Sequence, residues 1–155
     1  MYSISHVAKA KGFTLIELLV VISIIGLLST LAVVALGSAR AKSRDARRVS
    51  DVKQIQTALE LYRDSTTAQT YPAAPAGNLG EASSGAFCLN SSGWIATTNC
   101  AGAYMAQVPS DPAIATYHYT YTRPTTDTYS IAFTLEQGTG GMVAGAHTAD
   151  QNGMR

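Results

Sequence analysis

The hydrophobic pattern along the chain changes character three times. From Phe13 to Leu36 it is apolar on every side of any helix drawn through it, broken only by Ser, Thr, Gly and one acid, Glu17. From Val49 to Tyr62 apolar residues recur at three- and four-residue steps: Val49, Val52, Ile55, Leu59, Tyr62. That is one stripe on an amphipathic helix. After Pro109 the period becomes two. "TYHYTYT" sets Tyr117, Tyr119 and Tyr121 on one face, and "TYSIAFTLE" sets Tyr129, Ile131, Phe133 and Leu135 on one face. Alternation of this kind marks strands with one buried side.

The first segment has the length of a membrane span. About 24 residues at helical rise cover roughly 36 Å, against a hydrocarbon core of roughly 30 Å. No strong stop follows Leu36, so one helix is predicted from Phe13 to about Asp64, roughly 78 Å long. Gly26 and Gly37 cost it about 1 kcal/mol each and are its soft points. From Ser65 to Pro109 Pro, Gly and Ser interrupt every pattern, which predicts a long surface connection containing at most a turn or two of helix near "AGAYMAQVP". "RPTTD" is read as a hairpin loop, and "QGTGG" as a turn into a weak third strand near Met142 and Val143. The predicted class is α+β: a long N-terminal helix packed by its stripe on an antiparallel sheet of about three strands.

Glu17 is the anomaly. A charge in a membrane helix costs roughly 2.5–3.5 kcal/mol at the centre and less near an end. A cleaved secretory signal, an ordinary anchor and a segment whose acid has a partner all fit the hydropathy. Only the last uses the acid.

The residues "KGFTLIELLVVISIIGLL" closely resemble the N-terminal cleavage and methylation signal of type IV prepilins and type II secretion pseudopilins. The resemblance covers about 25 residues strongly, and the helix-and-sheet plan weakly covers the rest. It implies a pilin-like fold and a leader, residues 1–12, cut by a membrane prepilin peptidase between Gly12 and Phe13. It implies N-methylation of the new Phe13 terminus. It also implies that Glu17 meets the terminal amine of a neighbouring subunit during assembly, with Phe13 and Glu17 as the assembly pair. The expected organisation is then 13–37 for the membrane and assembly half of the helix, 38–64 for its amphipathic half, and 65–155 for a head, with a variable loop over 65–109 and the sheet over 115–145.

The charges then take on meaning. Arg40, Lys42, Arg44, Arg47 and Arg48 follow the apolar run, with Asp45 alone opposing, and are read as a solvated face, the alternatives being contact with lipid head groups or with acids on a neighbouring subunit. A count of bases would put this side of the membrane in the cytoplasm. The resemblance implies the reverse, and a specific cleavage signal outweighs a statistical bias. The net charge of +1 gives no general case for nucleic acid. In a head exported to an oxidising compartment, Cys88 and Cys100 are expected to be joined. Two Cys and scattered His6, His118 and His147 do not make a metal set, and no cofactor or catalytic motif is present. Asn90-Ser91-Ser92 matches a short glycosylation pattern.

The function expected is a structural subunit, not an enzyme. It is a single-pass precursor in the cytoplasmic membrane that polymerises with itself into an extracellular or periplasmic filament. Its partners are other copies, prepilin peptidase, an inner-membrane assembly platform and, before assembly, membrane lipid. The alternatives are a type II secretion pseudopilin, which "VPSDP" before the Tyr-rich strand favours, or a minor pilin acting as a membrane-anchored binding module.

Overall fold

The computed structural model describes residues 12–81, 85–96 and 100–155. The leader up to Lys11, and with it His6, lies outside the described residues. The chain divides into two compact units, Met1–Gly37 and Ser38–Arg155.

Helix α1, Leu15–Ser65, is continuous through Gly26 and Gly37. Thr14 starts it and the Arg63 carbonyl ends it, accepting from both the amide and the hydroxyl of Thr66. Within the first unit every described side chain is exposed, including the whole apolar run.

In the second unit the stripe is buried as its period requires. Val52, Ile55 and Leu59 are fully buried and Ala58 nearly so, with Val49 and Tyr62 packed at the margin. The opposing sheet has the order β3-β4-β5-β6, antiparallel throughout, from β3 (Thr120–Thr125), β4 (Thr128–Thr139), β5 (Met142–Asp150) and β6 (Gly153–Met154). It has four strands rather than three. The fourth is two residues long and closes the chain back on β5, pairing Ala149 with Met154 and Asp150 with Gly153. The alternation in β4 is realised: Tyr129, Ile131, Phe133 and Leu135 are all buried. Tyr119 and Tyr121 join them, but Tyr117 precedes β3 and lies under the Arg48 guanidinium, 4.9 Å from ring centre to carbon.

"RPTTD" is not a loop. Arg123, Pro124 and Thr125 belong to β3, and the hairpin turns at Thr126-Asp127. β3 is the sheet's edge, and its register shifts between Thr122 and Thr125, so Pro124 removes no ladder bond a central strand would need.

The connection after α1 is irregular but not merely surface. It sends Tyr71, Leu79, Leu89 and Val108 into the core and carries a two-stranded hairpin, β1 (Cys88–Asn90) with β2 (Gly93–Ile95). "AGAYMAQVP" is a run of turns and bends rather than helix, and Met105 bridges to Leu89. Gly80 allows the connection to close: at φ +74°, a Cβ there would sit 2.4 Å from the Pro109 carbonyl oxygen. Cys88 and Cys100 form a disulfide, with Cα atoms 6.3 Å apart. A loop of this size contributes roughly 3 kcal/mol by chain entropy. Alkylation of denatured, unreduced protein should therefore add no mass, and reduction should lower the denaturation midpoint. Two labelled thiols in material recovered from cells would overturn the pairing.

Candidate functional site

The amino-terminal segment is built by one local motif. Thr14 is the N-cap of α1 and Glu17 is its third residue. The Glu17 amide donates to the Thr14 hydroxyl at 3.2 Å. In return, the Thr14 amide and hydroxyl both donate to Glu17 Oε2 at 2.8 Å. This is a reciprocal capping box, which satisfies two amide groups that a helix start otherwise leaves open. The sequence carries it plainly as Thr-x-x-Glu, and the reading of Glu17 as an assembly acid alone overlooks it. Glu17 Oε1 has no hydrogen bond among the described residues. Phe13 lies outside the box, with 85% of its surface exposed. Glu17 and Phe13 are a helical turn apart, and within the chain the carboxylate goes to Thr14.

Gly12 is spatially unconstrained. A Cβ at this position would meet nothing within 4 Å among the described residues. Downstream, α1 is long and apolar enough to cross a membrane.

A second constellation lies at the other end of the basic run, and it corrects the reading of that run as a solvated face. Arg48 is fully buried. Its Nε and Nη2 donate to the two oxygens of Asp111 at 2.7 and 2.9 Å, a bidentate fork. Its Nη1 donates to Asp45 Oδ1 at 2.8 Å and to Glu136 Oε1 at 2.7 Å. Arg44 forks onto Glu136 as well. Asp45 accepts further from the amides of Glu136, Gln137 and Gly138, at 2.8, 2.8 and 3.0 Å. Those three amides converge because β4 bulges between Leu135 and Gly138, and Gly138 has a φ of +91°. The cluster ties α1, the "VPSDP" stretch and the bulge to one another. Sequence reasoning missed it, because Asp111 and Glu136 are remote in the chain from the bases they meet. The signals present were Asp45 inside a basic run and the lone Glu136 at the end of a strand.

Burial works against the Asp45 carboxylate, but the three amides and Arg48 outweigh it and hold its pKa below the usual range. Arg44, and then Arg48, hold Glu136 down to about 2. Burial pushes the Asp51 carboxyl the other way, upward.

Residues 7–37 match the prokaryotic N-terminal methylation motif. The type II secretion system core protein G of Escherichia coli K12 is 42% identical over 55 residues, 36% of this chain and 38% of that one. A fimbrial protein of Pseudomonas aeruginosa is 44% identical over 50 residues, 32% of each chain. The type IV major fimbrial protein FimA of Dichelobacter nodosus matches to the same extent. The chain thus spans only about a third of the length of these relatives. No solved structure matches it significantly. Through its prepilin-type methylation segment, the chain is related to the type IV prepilins and the type II secretion pseudopilins.

Proposed function

We propose that the chain is a structural filament subunit, made as a single-pass membrane precursor, cut between Gly12 and Phe13, N-methylated at Phe13 and assembled by packing of the apolar half of α1. The observation that carries this is the methylation motif over 7–37, leading into a helix whose apolar run up to Leu36 is exposed throughout. The 16 large apolar residues open to water between Phe13 and Leu36 are untenable in a soluble chain, so a membrane or other copies must cover them. Gly12 adds support. Nothing among the described residues requires glycine there, which fits a requirement set by the peptidase that reads it. In the assembled state the free Oε1 of Glu17 accepts from the cationic Phe13 amine of a neighbour, while Oε2 keeps the cap.

Mature protein should begin at Phe13 and be one methyl group heavier than the bare chain. A bulky residue in place of Gly12 should leave the leader attached. N-terminal sequencing of assembled material that starts at Met1 or at Ser38 would sink the cleavage reading.

The second reading, a secretion pseudopilin, is favoured by "VPSDP", whose Asp111 is a built part of the head and not an incidental loop acid. Filaments sheared from the cell surface should contain the chain if it is a pilin and lack it if it is a pseudopilin.

A further inference from the structure

Once the buried cluster is drawn, the basic run splits. Arg44 and Arg48 are spoken for by Glu136, Asp45 and Asp111, and Arg47 sits 3.7 Å from Asp51 one turn on. Arg40 and Lys42 remain. Both are exposed, and neither has an ion pair or a side-chain hydrogen bond among the described residues. They follow the last apolar residue, Leu36, by four and six positions, which at helical rise is roughly 6 and 9 Å. The headgroup layer beyond the hydrocarbon core is roughly 5–7 Å deep on each side, and long basic side chains bend back toward it.

We infer that Arg40 and Lys42 form an anionic-lipid contact that holds the precursor at the headgroup layer on the head's side of the membrane. This rests on the membrane-precursor reading above. The angular spacing favours lipid over a protein partner. Two residues are about 200° apart around a helix, so the two bases leave opposite sides of α1. A docking protein covers one side, whereas headgroups surround the helix at a given depth. The charge is complementary to phosphodiester headgroups, and in the sequence the two bases follow directly on the apolar run that enters the bilayer.

The test uses the full chain in nanodiscs of equal parts phosphatidylglycerol and phosphatidylethanolamine, released into a native mass spectrometer, with retained lipids counted. Wild type should retain phosphatidylglycerol preferentially, by roughly five-fold per base. The double variant Arg40→Gln, Lys42→Gln should lose most of that preference, each single variant should lose part, and Lys53→Gln, an exposed base further along α1, should lose none. Equal retention of both lipids by wild type overturns the proposal. So does a preference that survives in the double variant, or one that falls equally with Lys53→Gln. A double variant that keeps its lipid preference but assembles poorly assigns the bases to a neighbouring subunit's carboxylates instead. A wild-type chain that fails to enter the nanodisc defeats the membrane reading itself, and the lipid contact with it.

Discussion

Arg48→Ala is expected to remove about 3–5 kcal/mol of stability from the second unit, because it strands Asp111 and part of Asp45 as buried charges without their cation. Domains of this size are stable by only about 5–15 kcal/mol, so the loss would be a large share of the total. Trp94 reports it directly. It is the chain's one tryptophan and packs edge-on against Tyr121, 5.2 Å away, so its fluorescence follows the core during denaturation. The control is Arg47→Ala. Arg47 is 65% exposed and its contact with Asp51 is long, so its removal should cost at most about 0.5 kcal/mol. Lysine at position 48 should recover only part of the loss, since an ammonium cannot fork onto Asp111.

The same cluster sets a pH dependence. The Asp45 and Glu136 pKa values lie below their unfolded values of 3.8 and 4.5. Groups of this kind stabilise the folded state fully above the unfolded pKa, and the contribution drains as pH falls toward the folded one. Wild-type stability should therefore drop between about pH 5 and about pH 2. Asp51 has the opposite sign, since its raised pKa favours folding as it protonates, and it offsets a part of the fall. The stability gap between wild type and Arg48→Ala should narrow over the same range, as the carboxylates that miss their cation become neutral. A variant within about 1 kcal/mol of wild type, with an unchanged pH slope, would show that the cluster is dispensable.

What the sequence discloses here follows from range. The helix stripe and the β4 alternation are local periodicities, and every buried position they predict in β4 is buried. The fourth strand was not legible, because two residues carry no period. Neither was the β1-β2 hairpin, whose strands are three residues each and whose position depends on the disulfide and on Leu89 entering the core. Pro124 misled, since a proline inside a strand is tolerated only at an edge, and edge position is a property of the sheet. The basic run misled for a similar reason. Asp111 lies 63 residues from Arg48 and Glu136 lies 88 from it, so no window of sequence displays them together. Counting bases after the apolar run therefore overstates the free charge there. Arg44 and Arg48 are neutralised within the fold, whereas Arg40 and Lys42 have no ion pair among the described residues and Arg47 has only a long, exposed one.

Glu17 is the case where a local signal was legible and was passed over, and the capping box makes its role separable. Two effects now attach to one carboxylate: it caps α1 through Oε2, and it is proposed to meet the Phe13 amine of a neighbour through Oε1. Glu17→Ala removes both. Glu17→Gln keeps the cap, because glutamine serves equally at this position of the box, but it removes the negative charge. If assembly depends on the ion pair, both variants should assemble poorly, since a docked amine would be left at a desolvated interface without its counter-charge. Both should still enter the membrane at least as well as wild type, because a costly charge is gone. Cleavage should survive in both, because the cut bond lies before the cap. If capping alone matters, Glu17→Gln should assemble normally and Glu17→Ala should show a modest defect, matching the roughly 0.5–2 kcal/mol a lost cap costs. Quantifying sheared filaments against total processed subunit in the two strains decides between these outcomes. Normal filaments from Glu17→Gln would end the ion-pair account and leave Glu17 as the residue that starts the helix.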